Sequence, residues 1–454
     1  MVIDKEKHKP IFKIILIIVT IYLLMFLAIF IAKLIYLYYT IWRHGPCMPL
    51  NEDVGFAVVE TSDGDYVICG IIRVMYSIVL KVDKTGEEKW HKIFDQTHPM
   101  LTSITYVNGK IFTLGTILWN KTTGGNAVWL VKIDEDGNVL WNKTYREHSE
   151  ALGRTIAKAT DQGCLIGAVV AVRSRHFDIW LLKVSEDGDV EWNVTYGSEG
   201  YDDVHAIIQA VDGGYIVLGV TEINEVEHTW LIKINESGAV EWNKTYAYGI
   251  AHSITQAWDN GYVLVGWTSQ PEREEERARL WLAKVNESGV MEWNQTYGFG
   301  GGYSIVRAPN NNYVILGNVW SNETRSDVLL MKVDERGNVI WNNTYGGRGR
   351  DCGLSMIRDS NGDYVIVGET ASFEGDGINI LLMKVDDNGT LEWIKVYSGS
   401  RYKVPFVAYL CDCFGFMDVV GRVFNAGVST VDAVGFKLGL IRPYHYYFFP
   451  LNNN

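Results

Sequence analysis

The chain has 454 residues with 45 Gly, 9 Pro, 16 Trp and 25 Tyr, which is enough apolar and aromatic surface to bury a large core. It is too apolar for a disordered chain and lacks the glycine at every third position that collagen needs. A net charge of −13 argues against nucleic acid as a partner.

In chain order the first element is an apolar run, Ile14 to Ala32, that carries no charge and is long enough to cross a bilayer as a helix. Lys5, Lys7, Lys9 and Lys13 precede it, and Tyr36, Tyr38, Tyr39 and Trp42 follow it. This basic flank and aromatic belt predict a single-pass plasma-membrane anchor with its amino terminus in the cytoplasm. Residues 1–13 form the tail, 14–42 the anchor and interfacial segment, 43–52 a linker and 53–454 the extracellular part. A cleaved signal peptide fits less well, because the run is longer than an ordinary h-region and no A-x-A-like site follows.

From Asp53 one unit recurs, seen most clearly at Asp212 to Tyr246, DGGYIVLGVTEINEVEHTWLIKINESGAVEWNKTY. Trp90, Trp141, Trp192, Trp242, Trp293, Trp341 and Trp393 fill its late aromatic slot at spacings of 48 to 52 residues. Nine residues before them stand Lys81, Lys132, Lys183, Lys233, Lys284, Lys332 and Lys384, and Lys437 before Tyr446 suggests an eighth copy. A glycine marks the middle of each unit: Gly70, Gly115, Gly167, Gly219, Gly266, Gly317, Gly368 and Gly421. Short runs rich in Val, Ile, Tyr and Trp between turn residues predict four strands per unit. In unit four these are His205 to Val211, Tyr215 to Thr221, Thr229 to Ile234 and Val240 to Tyr246. The expected fold is all-β, an eight-bladed β-propeller of four-stranded antiparallel blades behind one transmembrane helix, since closing a ring of blades protects sheet edges.

The repeated D-x-x-G, as in Asp134 to Gly137 and Asp334 to Gly337, begins like a calcium loop but lacks its later ligands. A hairpin turn explains every copy, including Asn235 to Gly238. The repeated Lys and Trp are read as structural, with Trp docking blade against blade. The unit V-D-x-x-G-x-V-x-W-N-x-T-Y resembles repeats of exported prokaryotic β-propeller proteins, and its tryptophan half is similar to the docking motif of pyrroloquinoline-quinone-type propellers. That resemblance implies eight blades, and for the quinoproteins a bound quinone, calcium and an adjacent Cys-Cys pair. No adjacent cysteines occur; Cys411 and Cys413 flank Asp412. No cofactor, metal or catalytic residue is therefore expected, and neither H-E-x-x-H nor G-x-S-x-G is present. Asp202 and Asp203 before His205 read as solvated loop charges, as does the EREEERAR run of residues 272–279.

Ten N-x-[ST] sequons are glycosylation candidates: Asn120, Asn142, Asn193, Asn235, Asn243, Asn286, Asn294, Asn322, Asn342 and Asn388. Five repeat in W-N-x-T-Y, where alternation along the outermost strand points Asn away from Trp. Cys69 and Cys164 lie in strand patterns, while Cys47 with Cys411 or Cys413 is a disulfide candidate across the ring closure. The connections from second to third strands, and between blades, emerge on one face and vary most. Arg173, Arg175, His176, Trp267 and Trp320 on these connections are the candidate partner-binding residues. Three functions remain open: a membrane-anchored binding or scaffold module for an extracellular protein or glycan, a glycosylated envelope component that self-associates laterally, and an exported enzyme, quinone-dependent or glycan-cleaving, working in the channel.

Overall fold

Each repeat folds as an antiparallel meander whose strands differ in burial as their neighbours dictate. The second strand of blade four, Tyr215–Ile223, is buried at its first seven positions because blades pack on both of its faces, whereas the fourth, Val240–Tyr246, is mostly exposed. A computed structural model describes residues 53–402 apart from 74–75, 96–98, 119–124, 148–149, 174–175, 269–277, 321–325 and 374–376, and apart from the side chains of Arg173 and His176. These residues fall in one unit, Asn51–Pro405. They contain no α-helix and 27 strands, one fewer than seven meanders require. The missing break lies in Met291–Ala308, which runs on from the outer edge of blade five to become the inner strand of blade six, so those two sheets join as one of seven strands.

The first strands stand next to one another in blade order, and the last of them, Asp351–Arg358, returns to the first, Val54–Glu60. Blades seven and one share a core in which Val365, Val367, Ile380 and Leu382 meet Val58, Ile68, Ile78 and Leu80. The ring therefore closes at seven blades, which corrects the expected eight. What decides the count is the clamp between consecutive blades. Trp141 packs on Gly188 of the next blade's corresponding turn, Ser185 to Gly188, and the Tyr145 hydroxyl donates to the Gly188 carbonyl at 2.8 Å. Trp393 packs in the same way on Gly86 of blade one, and the Tyr397 hydroxyl donates to the Gly86 carbonyl at 2.7 Å. Blade one's turn is thus filled by blade seven, and the ring has no place for an eighth blade. The eighth repeat, the apolar run 14–32, Cys47, Cys411 and Cys413 lie outside the described residues.

The turn reading of D-x-x-G holds: Asp134 Oδ1 accepts the amides of Asp136 and Asn138 at 3.1 and 2.8 Å, and Gly137 sits at φ +86°. Each of the seven described repeated lysines is buried or nearly so, and its ammonium meets carboxylates of the turns or of the fourth strand: Lys233 pairs with Asp212 at 2.9 Å and Glu241 at 3.0 Å. Lysine and tryptophan are structural, as expected.

The repeated glycine answers a close approach. In six blades the inner strand bulges by one residue opposite it, and a Cβ on Gly266 would lie 1.9 Å from the Ile250 carbonyl oxygen; in blade three Ala168 holds that place and Gly167 pairs with Thr155 on the other side of the bulge. Gly266→Ala is expected to cost about 1–3 kcal/mol through overpacking, read as a lowered urea midpoint with unchanged slope.

Cys69, Cys164 and Cys352 are free and buried. Burial pushes the thiols of Cys69 and Cys164 up to about 12. Alkylation of the native protein at pH 8 should leave all three unmodified until the chain is unfolded.

Candidate functional site at the channel mouth

The seven bulges set seven equivalent side chains around the inner ring: Phe56, Thr102, Arg154, His205, His252, Tyr303 and Leu354. A bulge re-aims the side chain it adds, and all seven here are half-buried. The residue after each bulge is small: Ala57, Ser103, Thr155, Ala206, Ser253, Ser304 or Ser355. Outside the continuous strand of blade six, the bulged residue is third or fourth in its strand, close to the end where the variable connections emerge.

The ring is polar on one side and apolar on the other. Phe56 and Leu354 stand on the adjoining blades one and seven. Blades three to six carry Arg154, His205, His252 and Tyr303. The imidazoles of His205 and His252 stack with centroids 5.0 Å apart, and His252 stacks on Tyr303 at 5.7 Å. His205 Nδ1 lies 2.7 Å from the Ala251 carbonyl oxygen, so Nδ1 carries the proton and Nε2 is left as an acceptor. Trp267 Nε1 donates to His252 Nε2 at 3.0 Å, which places the His252 proton on Nδ1. Burial, with the adjacent His205, pushes the His252 imidazole down to about 3, and burial pushes the Tyr303 hydroxyl up to about 12. Both are neutral at ordinary pH, and Tyr303 stays a donor.

Arg154 is fixed by Asp203, Nε to Oδ1 at 3.1 Å and Nη2 to Oδ2 at 2.8 Å, and the Tyr201 hydroxyl donates to Asp203 at 2.9 Å. Asp202 and Asp203 are 0% and 6% exposed, so they are not the solvated charges expected. Asp202 accepts the Ser198 amide at 2.6 Å and holds the incoming connection, and the first strand accordingly starts at Asp202, three residues before the expected His205.

Of the predicted contact residues, Trp267 belongs to this site through His252. Trp320 is half-buried just past the second strand of blade six, Asn312–Val319. Arg173 and His176 pair across their hairpin, but their side chains and Arg175 lie outside the described residues. The seven ring residues were missed in sequence; the signal that marks them is the repeated glycine, which in six blades faces the residue before the bulge and in blade three gives way to Ala168. The other face holds an open, acid-lined hollow of about 420 Å³ at Asp212, Glu236 and Glu241. Two of these carboxylates are taken by Lys233.

The buried neutral imidazole has a consequence for acid stability. Its folded pKa lies below the unfolded value near 6.5, so its stabilising effect is full above about pH 6.5 and is lost as pH falls toward 3, by up to about 1.4 kcal/mol per unit. His252→Gln should flatten that part of the curve of melting temperature against pH.

No known family model matches this chain, and no curated protein matches it in sequence. Solved structures resemble it at low sequence identity. A polysaccharide lyase, Uly1, is 9% identical over 76% of this chain and 92% of its own, with a TM-score of 0.51. Proteins of unknown function from Dyadobacter fermentans DSM 18053 and Bacteroides caccae are 8% and 13% identical over 77% and 65% of this chain, and 96% and 94% of their own, with TM-scores of 0.45 and 0.40. At such identity the likeness to the lyase concerns the fold alone.

Proposed function

We propose that this chain is a membrane-anchored, surface-exposed binding module that takes an extracellular protein or glycan at the mouth of its channel. One observation carries this reading. Positions that serve the fold repeat from blade to blade, as the lysine, the docking tryptophan and the glycine do, whereas the bulged position holds Phe, Thr, Arg, His, His, Tyr and Leu in seven blades. A scaffold that repeats its structural residues and diversifies one inward ring concentrates specificity there. Hydrogen-bonding edges on blades three to six opposite apolar Phe56 and Leu354 suit a ligand with both polar and apolar faces. The anchor and the outside location rest on the apolar run and lysine flank of the sequence.

A photo-reactive amino acid at position 303, tested in native cells against the same probe at Ser237 on the far face, examines this reading. Adducts at 303 that are absent at 237 are expected, and adducts confined to 237 would refute the site. The second reading, lateral association, is favoured by the outer stretches of the blades, which pair on one side only.

A further inference from the structure

We propose that Asn142, Asn193, Asn243, Asn294 and Asn342 carry N-linked sugars that cover the free outer edges of blades two to six, and that the edges of blades one and seven stay bare. This rests on the export proposed above. Each of these asparagines is exposed on a stretch of strand that hydrogen-bonds to the third strand of its blade only, and an unpaired strand edge is a template for association with another chain. Asparagine and the sequon threonine two residues on project from the same side of an extended strand, while the tryptophan before them and the residue between them project from the other. The tryptophan side docks on the next blade, so a sugar on the asparagine meets solvent. In blades two and three the side-chain oxygens of Asn142 and Asn193 accept the indole N–H of Trp129 and Trp180 at 3.4 and 3.2 Å, which leaves Nδ2 to carry a sugar.

The turn sequons are placed differently. Asn235 is half-buried, with Oδ1 accepting the amides of Ser237 and Ala239 at 3.0 and 2.9 Å. The carbonyl of Glu236, the middle residue of that sequon, takes the N–H of Trp192 from the preceding blade at 3.1 Å. Asn286 is half-buried at the start of the corresponding turn of blade five, Asn388 is exposed as the third residue of that of blade seven, and their Gly289 and Gly389 lie under Trp242 and Trp341. These turns are clamped between blades, and their sequons stay unmodified. Blades one and seven have His91 and Ile394 in the rim slot, so the bare arc spans the closure of the ring.

Intact-glycopeptide mass spectrometry of the full chain from its native membrane tests the placement. Sugar masses on the five rim peptides, with the peptides of Asn235, Asn286 and Asn388 unmodified, are expected. Turn peptides occupied as fully as rim peptides would overturn the placement. So would bare rim peptides in a chain that protease removes from intact cells. Protection from that protease would instead overturn export, and this proposal with it. Replacing all five asparagines by glutamine in the native host should raise self-association in sedimentation while the melting temperature is kept. A folded variant that stays monomeric at every concentration would refute the covering role.

Discussion

Replacing Lys384 by alanine is expected to destabilise the propeller by about 3–5 kcal/mol, because the buried ammonium is removed and the fully buried Asp359 is left without its cation. Its ammonium lies 2.9 Å from Asp359, 3.0 Å from Asp363 and 3.7 Å from Glu392. Asp359 is fully buried and also accepts the Tyr66 hydroxyl of blade one at 2.8 Å, so the cluster ties the last blade to the first. Burial and its carboxylate partners act in opposite directions on Lys384, and the partners win, since its ammonium is held above the ordinary lysine range. Asp359 is held below the ordinary carboxylate range by Lys384 and Tyr66 against its own burial. The signs follow. The aspartate contribution is present above about pH 4 and lost as pH falls through the lowered value, and the lysine contribution is present below about pH 10 and lost as pH rises through the raised one. Chemical denaturation at pH 7 should show the full loss. Lys143→Ala, which removes an exposed pair with Asp189, should cost at most about 1 kcal/mol.

Trp393→Ala should cost about 3 kcal/mol and act on the ring closure specifically. The indole rests on Gly86, which sits at φ +81° with a prospective Cβ only 3.2 Å from the ring, and packs against the core shared by blades seven and one. Truncation leaves a cavity and removes the steric stop between those blades, so transfer and cavity terms add. Tyr397→Phe, which keeps the ring and removes only the hydroxyl donated to the Gly86 carbonyl, should cost about 1 kcal/mol. Amide exchange should distinguish the two, with protection lost chiefly along Leu391–Tyr397 and Glu88–Phe94 in the tryptophan variant.

Much of this architecture is legible in the residues. The spacing of Trp90 to Trp393 defines the units, and alternation on the fourth strands separates docking tryptophan from exposed asparagine. The blade count was not legible, since Lys437 and Tyr446 reproduce the spacing of a repeat, whereas closure depends on which turn receives Trp393, a contact between residues about 300 apart. Asp202 and Asp203 misled because charge before a strand ordinarily means solvent; here Arg154, from the preceding blade, and the Ser198 amide satisfy them. The tyrosine of W-N-x-T-Y was read as strand pattern, although its hydroxyl completes the clamp on the next blade. The ring residues escaped because diversity at one position looks like noise until the bulge shows that all seven are equivalent.

The closure of seven blades is what makes those seven residues a ring, and it can be measured directly. Ser360 Oγ donates to Glu60 at 2.6 Å across blades seven and one. In a chain with Cys47, Cys411 and Cys413 changed to serine, Glu60→Cys and Ser360→Cys treated with a short bismaleimide should cross-link within the folded monomer, and unfolding before treatment should abolish it. A folded monomer whose two thiols are both labelled singly and never joined would place another blade between them and contradict the seven-bladed ring.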